Sequence, residues 1–336
     1  MSVLVTGGAG YIGSHTVVEL LNAGEEVIVA DNLSNSKEES LKRVEKITGK
    51  AVRFYRADVC DASALRSVFY ENPGIESVIH CAGYKAVGES VRKPLLYYEN
   101  NIGSAVALLK AMRQANVKRL VFSSSATVYG MPEKCPLTES TPTGALNPYG
   151  NTKKIIEELI RDVCAADPSM NAALLRYFNP VGAHESGLIG ENPVGIPNNL
   201  MPYIAQVAVG KLRKLSVFGG DYPTRDGTCV RDYIHVTDLA KGHLAALKKL
   251  RQNPGLVVYN LGTGSGYTVL EAVRAFMKAT GINIPYEFTG RRAGDAPECY
   301  ADTQKAEAEL NWRAEKSLED MCRDHYVWQK NNPDGY

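Results

Sequence analysis

The sequence lacks the features of a membrane, secreted or metal-binding protein. It has no apolar run of about 18 residues, so we expect no membrane span. The opening apolar run, SVLVTG, is short and has no basic leader, which argues against a signal peptide. The seven cysteines are scattered without CxxC spacing, which favours reduced thiols and a cytoplasmic location. The six histidines form no HExxH or similar cluster, so we expect no metal site.

Charge of one sign is also lacking. The chain has 38 Lys and Arg against 37 Asp and Glu, a net charge of +1. This balance gives no overall field to attract nucleic acid or an anionic membrane, so any phosphate binding must be local. With 336 residues, of which 44% are hydrophobic, the chain can bury a large core in one large or two ordinary domains.

What the sequence does contain is an alternation of short apolar strands and amphipathic helices. The predicted strands are SVLVTG, EEVIVAD, AVRFYRAD, SVIHCAG, RLVFSSS and AALLRYFN, and stretches such as HTVVELLNAG and SAVALLKAMRQANV have helical periodicity. Alternation of this kind predicts an α/β fold, a doubly wound parallel sheet with helices on both faces. In such a sheet, ligands bind at the carboxyl ends of the strands.

The character of the chain changes near residue 180. The stretch GAHESGLIGENPVGIPNNLMPYI is rich in Gly, Pro and Asn and predicts a long functional loop. We therefore predict a nucleotide-binding domain over residues 1–180, with part of about 225–250 returning to it. Residues 181–336 are predicted to form a smaller α/β lobe that binds the substrate.

A glycine motif follows the first predicted strand. In GGAGYIG, residues 7–13, Gly7, Gly10 and Gly13 would allow a tight turn and close approach of the backbone to a pyrophosphate at the start of a helix. Its place between strand and helix predicts a Rossmann-type dinucleotide fold. Asp31 ends the second strand and would accept hydrogen bonds from a ribose, which favours NAD over NADP. Asp58 could serve the adenine edge in the same way or cap a helix.

Two tyrosine–lysine pairs occur at a spacing of four residues, Tyr149 with Lys153 and Tyr326 with Lys330. Residues four apart share a helix face. Tyr149 opens a strongly helical stretch after the strand that ends in Ser123-Ser124-Ser125, whereas Tyr326 follows the last predicted sheet element. We therefore predict that the first pair lies at the carboxyl edge of the sheet and that the second pair serves packing or lies at the surface.

A lysine beside a tyrosine changes the chemistry open to the phenol. A tyrosine has a pKa of about 10 and is a poor base at neutral pH. A cation within roughly 4–6 Å lowers that pKa by about one to three units, and oxidised nicotinamide would add a second positive charge. We expect these two charges together to bring Tyr149 toward neutral pH, where it would act as a general base, with Ser125 orienting the substrate hydroxyl. The bland alternative is a tyrosine and a lysine on the surface of an ordinary helix.

Longer strings resemble a known family. GGAGYIG, CAGYKAVGES, SSSATVYG and NPYGNTK are similar to motifs of the extended short-chain dehydrogenase/reductase family. RYFNPVGAH, IPNNLMPYI, RDYIHVTDLA, YNLGTG and RRAGD resemble the members of that family that invert carbon 4 of a hexose attached to UDP. The resemblance implies an isomerase that interconverts UDP-glucose and UDP-galactose through a 4-keto sugar, with tightly bound NAD.

The resemblance also implies residue roles. Tyr149 would take the proton of the 4-hydroxyl, Lys153 would hold the nicotinamide ribose, and Ser125 would be the catalytic serine. The implied cofactor contacts are Gly7, Gly10, Tyr11, Ile12, Gly13, Asp31, Asn32, Asn35, Ser36, Asp58, Val59, Cys81, Ala82, Gly83, Lys85, Asn100, Ser123, Tyr149, Lys153 and Phe178. The implied substrate contacts are Lys85, Ser125, Tyr149, Tyr177, Asn179, Asn199, Phe218, Arg231, Arg292, Asp295 and Cys299.

Within the substrate set, the resemblance implies which residues contact each part of a UDP-sugar. Arg231 and Arg292 would contact the diphosphate, Asp295 the uridine ribose and Phe218 the uracil. The position of Cys299 is bulky in some family members and small in others. A small residue there implies room for a 2-acetamido group, and therefore activity on UDP-N-acetylglucosamine and UDP-N-acetylgalactosamine as well. The family further implies a homodimer, formed by helices near 100–115 and 150–165 packing as a four-helix bundle.

Two other functions compete with epimerisation. A nucleotide-sugar 4,6-dehydratase shares the fold, NAD and the Tyr–Lys pair, but its family has Asp-Glu where this chain has Ala126-Thr127. A regulator that binds NAD without chemistry would not need Ser125, Tyr149 and Lys153 together. Both alternatives are weaker than epimerisation on these residues.

Overall fold

The strands of the protein are short, and they form mostly from the β-branched runs of the sequence. The computed structural model describes residues 2–192, 197, 199–292 and 294–336. In chain order the strands are β1 Ser2–Thr6, β2 Glu26–Asp31, β3 Arg53–Arg56, β4 Ile75–His80, β5 Arg119–Ser125, β6 Asn171–Tyr177, β7 Asn179–Val181, β8 Leu215–Phe218, β9 Val230–Arg231, β10 Tyr233–His235, β11 Leu256–Leu261, β12 Tyr267–Thr268, β13 Tyr286–Thr289 and β14 Glu298–Cys299.

The helices alternate with these strands through the first half of the chain. They are α1 Tyr11–Asn22, α2 Glu39–Thr48, α3 Ala62–Glu71, α4 Val87–Arg92, α5 Pro94–Tyr97, α6 Gly103–Gln114, α7 Pro148–Ala166, α8 Leu200–Ala208, α9 Val236–Leu250, α10 Val269–Thr280, α11 Gln304–Leu310 and α12 Leu318–Asn331. A π-helical turn, Tyr98–Ile102, leads into α6, and a 3₁₀ turn, Ala126–Tyr129, follows β5. Across the described ranges, no helix is both long enough and apolar enough to cross a bilayer.

Seven strands form one parallel sheet in the order β11-β6-β5-β4-β1-β2-β3. Apolar residues of α1 and α9 pack on one face, and those of α3, α6 and α7 pack on the other. Burial on both faces explains why the strands have near-continuous apolar sequences. The predicted fold class, a Rossmann-type doubly wound sheet, is confirmed.

The sheet extends further along the chain than the sequence predicted. The segment 256–261 pairs with β6 in parallel register, from Leu256 beside Ala172 to Leu261 beside Tyr177. The predicted C-terminal lobe, residues 181–336, included this strand, whereas the strand belongs to the large sheet, because its pairing depends on contacts distant in sequence. Helix α9, within the predicted returning segment, packs against α1, β5 and β6. The division into two domains near residue 180 stays a prediction.

The predicted long loop, residues 182–204, is only partly described. Residues 193–196 and 198 lie outside the described residues, as does Ala293 of the RRAGD string. The last residues of the stretch are helical, since α8 begins at Leu200. Met201 and Ile204 on that helix are buried in a smaller core with α10 and α12, which accounts for a helix where the composition indicated a loop.

Four of the five buried histidines in the described ranges make the fold sensitive to acid. Burial lowers the pKa of His15 and His80 to about 3, and the pKa of His243 and His325 to about 4. These folded-state values lie below the unfolded value near 6.5, so below that pH the unfolded chain binds more protons than the folded chain. Stability is therefore lost as the pH falls below about 6.5.

We expect the free energy of unfolding to decrease between pH 6.5 and pH 4.5, by up to about 1.4 kcal/mol per pH unit for each histidine. Urea unfolding at pH 7, 6 and 5 measures this slope. His325→Leu should reduce the slope by about one proton. Equal stability at pH 7 and pH 5 would contradict the assignment of neutral buried histidines.

Candidate active site

The glycine loop joins β1 to α1 at the carboxyl edge of the sheet. Gly7 has a φ of +71°, which favours glycine, and its N–H donates to the Ala30 carbonyl at 2.8 Å. A Cβ at position 13 would collide with the Gly7 carbonyl oxygen, so Gly13 allows close packing of the loop on the helix. Helix α1 begins without a side-chain cap, which leaves the first-turn N–H groups available to an anion. The loop therefore suits the pyrophosphate of a dinucleotide.

Asp31 lies at the end of β2, and its carboxylate accepts hydrogen bonds from the protein itself that the sequence did not predict. Its carboxylate accepts from the Ala9 N–H at 3.1 Å, the Leu33 N–H at 2.9 Å and the Ser36 hydroxyl at 2.9 Å. A carboxylate offers about four acceptor positions, so one position remains for a ribose hydroxyl. The same side chain therefore also ties the glycine loop to the loop after β2.

Most of the other predicted cofactor residues follow strand ends along the same edge, while Ile12 lies in α1 and Asn100 in the π-helical turn before α6. The Asn32 side-chain amide donates to Asp58 at 3.1 Å, and the Asn100 amide donates to Asn101 at 3.0 Å. Gly83 has a φ of +151°, and a Cβ there would press on the Asn101 side chain. Ile12, Asn35, Val59, Ala82 and Phe178 lie in the first turn of α1 or after β2, β3, β4 and β6.

Tyr149 and Lys153 lie one turn apart at the start of α7, and both are buried. The helix begins there because the Asn147 side chain accepts from the Gly150 N–H at 2.9 Å and Pro148 occupies the first turn. The Lys153 ammonium donates to the Ser123 carbonyl oxygen at 2.7 Å. The pair therefore faces the end of β5, as the sequence analysis placed it.

Burial dominates the electrostatics of Tyr149 and Lys153 in the protein alone. Burial raises the pKa of the Tyr149 phenol, and a hydrogen bond from the Ser125 side chain opposes this rise. Burial also lowers the pKa of Lys153 to about 8. The expectation that Lys153 and oxidised nicotinamide together bring the phenol toward neutral pH stays a prediction, because only one of these two charges belongs to the protein.

The second tyrosine–lysine pair lies in a different setting. Tyr326 and Lys330 are both on α12, where the Tyr326 ring packs edge-on against Phe276 with ring centroids 6.1 Å apart. Lys330 is exposed. Tyr326 therefore packs on the smaller core while Lys330 lies at the surface, and the pair provides a matched control for the first.

Four residues of the predicted uridine-diphosphate set lie together in the C-terminal part. Arg292 makes two hydrogen bonds to the Asp295 carboxylate, at 2.9 and 3.1 Å, and its guanidinium lies 5.8 Å from the Phe218 ring centroid. Arg231 approaches the same carboxylate at 3.5 Å. Cys299 is half-buried and pairs with Arg231 in register between β14 and β9. Two guanidinium groups, one carboxylate and one exposed ring form a compact polar site.

A buried acid that the sequence analysis missed joins two other predicted substrate residues. Glu191 accepts from the Lys85 ammonium at 2.7 Å and from the Asn199 side-chain amide at 3.2 Å. Its side chain is only 6% exposed. No local pattern marks Glu191, because it lies in an irregular stretch and meets Lys85 across 106 residues of chain. Of the remaining set, Tyr177 is buried at the end of β6 and Asn179 is exposed at the start of β7.

The fold and these contacts define a class of protein. A glycine loop, a strand-end aspartate and a buried Tyr–Lys pair at one edge of a doubly wound sheet are features of dinucleotide-dependent enzymes of the short-chain dehydrogenase type. A family model described as the NAD dependent epimerase/dehydratase family matches residues 3–262. The chain belongs to this family.

Individual relatives are similar over the whole chain. A protein of Bacillus subtilis called UDP-glucose 4-epimerase is 61% identical, with 100% of this chain and 99% of the relative covered. The crystal structure of UDP-glucose 4-epimerase from Bifidobacterium longum with NAD+ and UDP has a TM-score of 0.97 and 57% identity, covering 100% of both chains. The UDP-Glc/GlcNAc 4-epimerase of Campylobacter jejuni has a TM-score of 0.86 and 35% identity, covering 98% of this chain and 99% of that one.

Proposed function

We propose that the protein interconverts UDP-glucose and UDP-galactose by inverting carbon 4, with NAD bound at the carboxyl edge of the sheet. The observation that carries the proposal is the buried Tyr149–Lys153 pair, held on α7 against the end of β5. The high identity to UDP-glucose 4-epimerases over the full length supports the same activity.

The residues present fit NAD. The uncapped start of α1 and the glycine loop would hold the pyrophosphate, and Asp31 retains an acceptor position for the adenosine ribose. Lys153 would contact the nicotinamide ribose from its place over the end of β5. When bound, NAD supplies an acceptor that takes hydride from carbon 4 and returns it to either face of the sugar.

The protein's own groups would move the proton. Tyr149 is the base for the 4-hydroxyl, and Ser125, next to it at the end of β5, orients that hydroxyl. Burial raises the pKa of the phenol, so cationic charge in the assembled site is needed to bring the phenol toward neutral pH. Lys153 supplies one such charge, and its hydrogen bond to the Ser123 carbonyl oxygen holds the ammonium group in place.

The proposed substrate contacts hold the UDP half more firmly than the sugar. Arg231 and Arg292 would bind the diphosphate, since a guanidinium matches phosphate oxygens, and Phe218 would lie against the uracil. Lys85 and Asn199, joined through Glu191, would line the diphosphate-sugar region together with Tyr177 and Asn179. A firm hold on UDP leaves the 4-keto sugar free to present its other face. On this view residues 1–180 form the NAD domain and 181–336 the UDP-sugar lobe.

Cys299 supports a wider substrate range, in which UDP-N-acetylglucosamine and UDP-N-acetylgalactosamine also react. The half-buried Cys299 pairs in register with Arg231 and packs against a small apolar cluster that includes Ala126 and Phe178. Burial raises the pKa of the Cys299 thiol to about 12, so the side chain is neutral and acts through its small size. A short side chain at this wall leaves space for an acetamido group.

A homodimer in the cytoplasm completes the proposal. Val91, Leu95 and Ile155 expose apolar side chains on α4, α5 and α7, and α6 and α7 would pack with those of a second copy. Light scattering on the purified protein tests this assembly. All seven cysteines are free thiols, which suits a reducing compartment.

The activity is tested by incubating the purified protein with UDP-galactose, adding no cofactor, and identifying the product by chromatography and mass spectrometry. The proposal predicts UDP-glucose at unchanged mass. A 4-keto-6-deoxy product would indicate the dehydratase instead, and no conversion by protein that contains NAD would indicate the regulator.

A further inference from the structure

Ser123 makes two buried contacts at the end of β5. Its carbonyl oxygen accepts from the Lys153 ammonium at 2.7 Å, and its hydroxyl lies 2.9 Å from Nε2 of His243 on α9. Ser123 and His243 are fully buried. Ser123, which accepts the hydrogen bond from Lys153, is therefore also hydrogen-bonded to a histidine from the opposite face of the sheet.

The hydrogen bonds fix the direction of this contact. Nδ1 of His243 lies 2.9 Å from the Leu239 carbonyl oxygen, which can only accept, so Nδ1 carries the hydrogen. Nε2 is then without a hydrogen and accepts from the Ser123 hydroxyl. Burial lowers the pKa of His243 to about 4, which agrees with a neutral ring. Because the serine hydrogen is used on His243, the Cys81 thiol, 3.2 Å away, donates to the Ser123 oxygen.

We propose that His243 is a positioning residue for the reaction, holding Ser123 so that its carbonyl keeps the Lys153 ammonium in place and its hydroxyl oxygen accepts from the Cys81 thiol. The inference rests on the proposed function, because Lys153 and Ser123 matter only if the dinucleotide and the sugar react at this edge. His243 does not touch the reacting atoms. Its hydrogen bond acts through Ser123, while its ring also packs beside Tyr177, with ring centroids 6.2 Å apart. A loss of kcat that glutamine restores and that requires Ser123 separates the hydrogen bond from this packing.

The first test is a double-mutant cycle. His243→Leu removes the acceptor and should lower kcat with UDP-galactose about tenfold, the factor for one hydrogen bond of about 1.4 kcal/mol, while KM stays within about twofold. His243→Gln, whose amide oxygen can replace Nε2 as acceptor, should restore most of kcat. In a Ser123→Ala background, His243→Leu should have no further effect.

Stability is controlled separately. Asn72 is buried in hydrogen bonds with Arg53 and Tyr55 near the other edge of the sheet, so Asn72→Leu should destabilise the fold and leave kcat unchanged. Unchanged kcat in His243→Leu would overturn the proposal. A tenfold loss that persists in the Ser123→Ala background would also overturn it.

A second readout needs no activity and stands even if the proposed function fails. The ¹⁵N NMR spectrum of labelled histidine should show His243 with a hydrogen on Nδ1 and a hydrogen-bonded Nε2. Ser123→Ala should shift the Nε2 resonance and leave Nδ1 in place. A hydrogen on Nε2 in the wild-type protein, or no change in Ser123→Ala, would overturn the proposed contact.

Discussion

Replacing Tyr149 by phenylalanine is expected to lower kcat with UDP-galactose about a thousandfold, within the range of about 10² to 10⁴ for loss of a general base. The change removes one oxygen and keeps the buried ring, so packing around the start of α7 should be preserved. Binding of UDP, measured by calorimetry, should stay within about threefold, because Arg231, Arg292 and Phe218 are untouched.

The chain supplies its own control for this experiment. Tyr326 has the same spacing to a lysine on a helix, and its ring packs on Phe276 in the smaller core. Tyr326→Phe should leave kcat unchanged. Similar losses from the two substitutions, or a kcat for Tyr149→Phe within about threefold of wild type, would contradict the role of the first pair.

Replacing Cys299 by tyrosine is expected to lower turnover of UDP-N-acetylgalactosamine at least about a hundredfold, while turnover of UDP-galactose changes only a few-fold. The larger ring at the half-buried position beside Arg231 would take the space proposed for the acetamido group. The measurement is kcat/KM for both substrates on the same protein preparation, and the result is the ratio of the two values.

Cys299→Ala serves as the matched control. It removes the thiol and keeps the side chain small, so both activities should survive. Equal losses of the two activities in Cys299→Tyr would show general damage to the site and would contradict the steric argument. Loss of acetamido turnover in Cys299→Ala would assign the effect to the sulfur instead of to size.

Local patterns were sufficient to predict much of the fold. The first six strands of the large sheet, the helix after the glycine loop and the helix carrying Tyr149 follow from period, glycine placement and capping residues in adjacent sequence. The choice between the two Tyr–Lys pairs needed only the position of each pair relative to the strands. These are short-range properties that a sequence displays directly.

The features that sequence analysis missed depend on contacts far apart in the chain. Glu191 meets Lys85, and His243 meets Ser123 across 120 residues, with no spacing rule that links either pair. Residues 256–261 form a strand of the large sheet because they pair with β6, which lies far away in sequence. The rise of the Tyr149 pKa on burial was not foreseen for the same reason, since burial is a property of the whole fold.

The most direct test of the account follows the hydrogen on carbon 4. UDP-galactose carrying deuterium at carbon 4 is incubated in ordinary water with the purified protein, and the UDP-glucose formed is examined by mass spectrometry and NMR. If the sugar is oxidised and reduced again within one closed site, the deuterium is recovered on carbon 4 of the product. Loss of the label to water would show that carbon 4 exchanges as a proton and would contradict the central claim.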